Sequence, residues 1–414
     1  MNMRLVKLAA ILTLGFVGLA SQSFPMKSDL KPAGEPVKGD AAVAPYSAFG
    51  IDLYLRTAAA DPGRNVFISP ASVGLALAMA WNGSAGETQA AMAATLRLPS
   101  SEFAVVNAAD SKLMAAMKAE KRDVELSVAN SLWARKGIEF KKPFLARNER
   151  FYDADVRTLN FDDPSSPGVI NAWVAGKTKD KIREIVDRID ASAILYLINA
   201  IYFKGSWAME FDPKFTRDQA FHAASGEKRT RMMHRSGKFS YRESNDGQAV
   251  RLPYGDGQIA MYVFLPARTS SLAKFQANLT AEAWKRWQGE FTKREGHLAL
   301  PRFTIEYQTK LGGPLTELGM GVAFDRARAD FSGMINALAG TKACIHDVIH
   351  KTFCEVNEEG TEAAAVTGVE VMVASFKPVD RFEMICDRPF FFAIVDDETG
   401  LILFIGSLEN PSIS

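Results

Sequence analysis

Cysteine is scarce in this chain: Cys344, Cys354 and Cys386 are the three among 414 residues. So few exclude a disulfide-stapled scaffold, and an odd number leaves at least one thiol unpaired. A bridge between Cys344 and Cys354 stays open at this stage, while Cys354, inside an apolar stretch, reads as a small buried hydrophobe. Histidine numbers five. The one metal-like spacing, His346-Asp347-Val348-Ile349-His350, has Asp in place of the catalytic glutamate and leads straight into a strand-like segment, so no metal site is expected. Nucleophile-elbow and Walker sequences are absent, and no cofactor or catalytic residue of an enzyme is expected. Neither sign of charge is in excess, with 49 basic and 48 acidic residues and a net charge of +1. That balance offers nothing to attract nucleic acid or an anionic membrane surface. The apolar run at residues 8–20 covers 13 positions, short of the roughly 20 a spanning helix needs.

That run instead has the form of a signal peptide. Arg4 and Lys7 precede it, and Gly18 and Ala20 supply small residues near its end. Residues 1–20 are expected to be removed on export to the periplasm or outside the cell. Residues 21–44, rich in Lys, Pro, Gly, Ala and Asp, read as a disordered tail. From 45 to 414 no linker divides the chain, and 47% apolar against 23% charged residues suits one large-cored domain.

Helices dominate the N-terminal third of that domain. Tyr46, Phe49, Leu53 and Tyr54 have helical spacing. Ser69 is a good N-cap, Pro70 suits the first turn and Gly83 can end the helix; Val73, Leu77 and Trp81 between them mark one buried stripe. Ser166-Pro167 opens a further helix with Ile170, Trp173 and Val174 on its apolar face. Lys112, Lys118, Lys121 and Arg122 form a basic helical face, interrupted by Glu120, Asp123 and Glu125 and therefore read as solvated. Strands dominate the C-terminal half. Residues 194–202 are almost wholly apolar, as in a strand covered on both faces. Gly255-Asp256-Gly257 joins one hairpin and residues 396–400 another. Helices first and strands later indicate an α+β protein.

The most informative stretch is KTFCEVNEEGTEAAAVTGVEVMVASF at 351–376. It starts as a strand, passes Glu358-Glu359-Gly360-Thr361-Glu362, and continues through Ala363, Ala364 and Ala365. One alternating set from the hinge, Thr361, Ala363, Ala365, Thr367, Val369 and Val371, contains no charge and no proline. The other set, Glu362, Ala364, Val366, Gly368, Glu370 and Met372, holds both charges. Because side chains alternate across a strand, such a segment can enter a sheet with its uncharged set buried.

This stretch closely resembles the hinge and reactive-centre loop of the serpins. Further likenesses occur in the family's order: Asn65–Pro70, Asn199–Trp207, Val250–Tyr254 with Met261–Pro266, Leu300–Phe303, and Met384–Ile394. The resemblance implies the serpin fold, with a large, mostly antiparallel central sheet, further sheets, eight to nine helices and an exposed loop. It implies a suicide substrate that traps a serine protease, or a cysteine protease, as an acyl-enzyme and acts as a monomer. Counting the family's loop length from Gly360 puts the scissile bond at Ala374-Ser375, with Val371, Met372 and Val373 setting an elastase- or subtilisin-like specificity. A shift of one or two residues toward Met372 is left open. Ser69, Ser72, Asn199 and His350 match the polar cluster beneath the sheet, and Trp207, Arg302 and Glu358 match the group at its top. The alternative is a non-inhibitory serpin, a carrier or chaperone-like protein whose loop does not insert.

Overall fold

A computed structural model describes residues 43–119, 123–190, 192–336, 343–361 and 381–411. Its helices are α1 (Val43–Ala60), α2 (Pro70–Trp81), α3 (Gly86–Thr95), α4 (Phe103–Lys118), α5 (Lys142–Tyr152), α6 (Ser166–Lys177), α7 (Leu272–Ala277), α8 (Ala281–Gln288) and the short α9 (Gly312–Leu315). Its first strands are β1 (Val66–Ile68), β2 (Val124–Arg135), β3 (Asp155–Leu159), β4 (Leu195–Ser206), β5 (Arg217–Ala223), β6 (Gly226–Ser244), β7 (Gly247–Pro253) and β8 (Ile259–Pro266). They are followed by β9 (Thr292–Pro301), β10 (Phe303–Lys310), β11 (Ile345–Val356), β12 (Gly360–Thr361), β13 (Phe382–Ile385), β14 (Phe390–Asp396) and β15 (Leu401–Leu408).

Two sheets result. One has nine strands in the order β1-β15-β14-β8-β7-β6-β9-β13, with β5 paired to β6; the other has six, β10-β11-β12-β4-β2-β3. The two anticipated hairpins, β7–β8 and β14–β15, are the centre of the larger sheet. Leu300–Phe303 is a crossing point: β9 ends in the larger sheet at Pro301 and β10 begins in the smaller one at Phe303. Arg302 sits at the crossing.

Helix α2 lies against β2 and β4 of the smaller sheet and β15 of the larger one. Ser69 caps it, its Oγ accepting the Ser72 N–H at 3.4 Å. The expected single buried stripe is an underestimate, since every residue from Pro70 to Trp81 is buried. An uncharged sequence with a sheet on either side leaves no face for solvent. Strand β4 explains its own composition. Leu195, Leu197, Ile201 and Phe203 join the main core, whereas Tyr196, Ile198 and Ala200 join a second core with Trp133, Ile170 and Val174 on the α6 side. Both faces are covered, so the apolar run is unbroken.

Part of the basic face read from the sequence lies at the end of α4. The helix stops at Lys118, whose Nζ pairs with Asp153 at 2.7 Å, and Lys121 and Arg122 lie outside the described residues. Strand β2, which follows, had no sequence signal strong enough to separate it from the preceding helices. Cys344, Cys354 and Cys386 are all buried and unpaired, which closes the possibility of a 344–354 bridge.

Helix α1 approaches α2 closely because both are thinned by glycine. A Cβ on Gly74 would lie 2.5 Å from the Tyr46 ring, and one on Gly50 would lie 2.4 Å from Pro70. Gly74→Ala is expected to overpack this contact and destabilise the native state by about 1–3 kcal/mol. Chemical denaturation measures it; an unchanged midpoint would contradict this account of the packing.

Candidate functional site

The smaller sheet contains a seam. Strand β11 pairs parallel to β4, from Ile345 against Leu195 to Phe353 against Tyr202. Above Phe353 the two strands part, and β12 fills the gap. Thr361 pairs with Val356 on one side and with Gly205 on the other, and Gly360 pairs with Ser206. A tight turn brings the chain back: Asn357 N–H donates to the Gly360 carbonyl at 2.9 Å. The Asn357 Oδ1 accepts the N–H groups of Glu359 and Gly360 at 3.1 and 3.2 Å. Only glycine fits at 360, because a Cβ there would lie 2.1 Å from the Gly205 carbonyl oxygen. Thr361 is fully buried, with its Oγ1 2.7 Å from the Tyr254 hydroxyl.

Trp207, Arg302 and Glu358 meet above this gap. Glu358 is buried, and its Oε2 accepts from Arg302 Nη2 at 2.5 Å while Oε1 accepts from the Thr216 hydroxyl. Its carbonyl accepts the Phe211 N–H at 2.9 Å. The Trp207 indole N–H donates to the Asn357 carbonyl at 3.0 Å, and its ring stacks on Tyr254 at 4.4 Å. A planar guanidinium at Arg302 suits a carboxylate held this rigidly.

Ser69, Ser72, Asn199 and His350 also come together, lower on the seam. Asn199 and His350 are register partners across β4 and β11. The Ser69 N–H donates to His350 Nε2 at 3.0 Å, so the ring proton sits on Nδ1 and is donated to Asn199 Oδ1 at 2.5 Å. Asn199 Nδ2 donates to Ser72 Oγ at 2.5 Å and to the Asn130 amide oxygen. Ser69 Oγ donates to the Leu403 carbonyl at 2.7 Å, tying the cluster to the larger sheet. His346 and His350 lie on a strand, not one face of a helix. Among the described residues no three His, Cys, Asp or Glu side chains converge as a metal site.

A sequence profile of the serpin family (serine protease inhibitor) matches residues 44–411. The chain belongs to the serpin family. It is 36% identical to human serpin B8 over 88% of this chain and 97% of that protein. To the horse leukocyte elastase inhibitor it is 33% identical, with the same 88% and 97% coverage. Of solved structures, the thermophilic serpin tengpin in its native state is similar with a TM-score of 0.85 and 30% identity, over 92% of this chain and 97% of that one. Human thyroxine-binding globulin has a TM-score of 0.82 at 26% identity, over 90% and 99%. The α+β architecture is thus the serpin fold.

Several members of the site in this serpin escaped the sequence reading. Asn130 sits in β2 directly opposite Asn199, and a lone amide between Ala129 and Leu132 was the available signal. Tyr254 was read only as part of a hairpin, and Thr216 and Asn357 carried no motif. Of the expected loop residues, Glu358, Glu359, Gly360 and Thr361 are placed as described. Glu362, Ala363, Ala364, Ala365, Val371, Met372, Val373, Ala374 and Ser375 lie outside the described residues.

Burial pushes the His350 imidazole down to about 3, and the ring is neutral at physiological pH. The folded value lies below the unfolded one of about 6.5. Its contribution is therefore complete above pH 6.5 and is lost as pH falls through the window from 6.5 toward 3, where only the unfolded chain takes up the proton. Between pH 6.5 and 5 this group alone is expected to remove about 2 kcal/mol of denaturation free energy. His350→Gln should flatten that part of the profile; an equally steep profile in the variant would show that His350 does not carry it.

Proposed function

We propose that this serpin is a suicide-substrate inhibitor of serine proteases with elastase- or subtilisin-like specificity. The observation that carries the reading is the seating of Gly360 and Thr361 between β4 and β11. A loop whose first two residues already form a strand in the gap has a template for the rest. Thr361 also sets the phase. Its side chain faces Tyr254 and the main core, so the residues in step with it, Ala363, Ala365, Thr367, Val369 and Val371, would be the ones buried inward. All are small or β-branched and none is charged. On insertion Glu362 and Glu370 would fall out of step, away from the main core. An inward charge would have been costly; the alternation avoids it.

In this reading the protease's nucleophile attacks the Ala374 carbonyl carbon, and the amine of Ser375 leaves. The acyl-enzyme bond then joins the protease to the new end of the loop. Insertion carries it along the seam, replacing the parallel β4–β11 pairing with an antiparallel ladder on each side of the new strand. Small and apolar residues near the bond suit a narrow apolar primary pocket. One relative is named an elastase inhibitor, which agrees with that choice. The fold alone does not select trapping, since thyroxine-binding globulin, solved with its ligand bound, shares it; the composition of the loop supports the trapping reading. The protein supplies the scissile bond and stored free energy, and no catalytic group of its own. We infer that it acts after export, on the strength of the signal-like composition of residues 1–20.

Mixing the mature protein with an elastase-type serine protease should give a band of combined mass on denaturing electrophoresis, with cleavage after Ala374. Thr361→Arg should abolish the band and turn the protein into a substrate, because a long cation cannot occupy the position against Tyr254. Full inhibition by that variant, with a stable complex, would sink the insertion mechanism.

A further inference from the structure

The segment between Trp207 and β5 has two sides. One holds the hinge, through the Phe211 N–H and the Thr216 hydroxyl on Glu358. The other walls a cavity of about 490 Å³ against β6 and β9, within the range of small-molecule sites. Nothing in the trapping reading uses that cavity, yet its lining is unusual.

Arg235 lines it. Its guanidinium lies between the rings of Phe211 and Phe239, 5.0 and 4.6 Å from their centroids, and donates to the Met209 carbonyl. Among the described residues no carboxylate pairs with it, and burial alone pulls its pKa down to about 10. A half-buried cation held this way without a counter-ion is favoured when something supplies the missing charge. His234 lines the same cavity. It is 6% exposed, and its Nε2 has no hydrogen-bond partner. The imidazole belongs to a chain: Ser236 Oγ lies 3.1 Å from His297 Nδ1, and His297 Nε2 lies 3.0 Å from His234 Nδ1. If the protons run from Ser236 toward His234, the chain ends on a buried, unused N–H. An anion in the cavity selects that direction.

Arg217 and Lys214 add two exposed cations to the lining. Two carboxylates are also present. Asp212 is occupied in capping the Lys214 N–H at 2.9 Å, and Glu210 carries a raised pKa from burial and from Glu359. Cations therefore outnumber carboxylates. Phe215, 63% exposed, supplies an apolar wall.

We infer that this cavity binds a small organic anion, with a phosphate or carboxylate head at Arg235, Arg217 and His234 and an apolar body against Phe215. Its occupancy is read by the hinge, because the Met209 carbonyl and the Phe211 ring that hold Arg235 belong to the segment that holds Glu358. The binding claim stands independently of the trapping reading; only the consequence for protease inhibition rests on it.

The test is a thermal shift titration of the full mature protein at constant ionic strength with phenyl phosphate, phenylacetate and inorganic phosphate. Phenyl phosphate or phenylacetate should raise the midpoint saturably, and whichever does so identifies the head group. Inorganic phosphate should bind more weakly. Arg217→Gln should weaken binding about ten-fold or more, as expected for loss of a charge-assisted hydrogen bond, and Arg235→Gln should abolish it. If Arg235→Gln does not fold, the exposed Arg217→Gln decides alone. Absence of a saturable shift with either aromatic anion, or an undiminished one in Arg217→Gln, would overturn the site. Hydrogen exchange at residues 357–361 then reads the coupling: a change on ligand binding supports it, and an unchanged hinge with ligand bound overturns it.

Discussion

Strand β11 rests on β4 in parallel register only as far as Phe353 and Tyr202, and above that point the sheet is held open by two residues of the chain that follows. Parallel pairing is slightly the weaker kind, so parting the seam costs the smaller sheet less than parting an antiparallel pair of the same length. Its two strands are nevertheless fastened on both faces. On the inner face His350, Asn199 and Ser69 bridge them to α2. On the outer face Lys351 reaches the Glu184 carbonyl and the Glu306 carboxylate, both at 2.6 Å, and so ties β11 to the segment after α6. A strand entering the seam would have to part His350 from Asn199, whereas Lys351 and Glu306 lie on neighbouring strands to one side of it and can move together.

This arrangement separates holding from driving. The polar groups along the seam are few, buried and bonded to one another, with Asn130 Nδ2 left without a partner, which makes them a cooperative fastening more than a large store of stability. What insertion offers in exchange is a second ladder, since one parallel pairing is replaced by two antiparallel ones. On the proposed mechanism the uncleaved form would persist because of a barrier and not because it is lowest in free energy. The clamp at the top belongs to the same logic. Glu358, fixed by Arg302, Thr216 and the Phe211 N–H, holds the start of the loop, and Gly360 permits the close approach to Gly205 that seats it.

Much of this was legible in the chain, for identifiable reasons. The apolar run of β4 announced a strand covered on both faces, and Ser69-Pro70 announced the start of α2. Full burial of α2 could have been read from its lack of any charge. The hinge and the seam cluster were found by resemblance, because periodicity says nothing about residues as far apart as Ser69, Asn199 and His350. Three things stayed hidden. Asn130 lies in β2, where Ser127, Asn130 and Ser131 break both apolar continuity and alternation. The change of sheet at Arg302 has no local signal, since Pro301 and Phe303 suit a strand in either sheet. The pairing of β11 on β4 joins segments about 150 positions apart, and such contacts leave no mark on either segment alone.

The central claim is that the loop, once cut, lowers its free energy by entering the seam. The most direct measurement is the thermal midpoint of the protein before and after a single cleavage within residues 362–380, made with a protease it does not trap. A gain of the order of an ordinary domain's stability, about 5–15 kcal/mol, would raise the midpoint by roughly 10 °C or more. A cleaved protein that melts at or below the midpoint of the intact one would contradict the account.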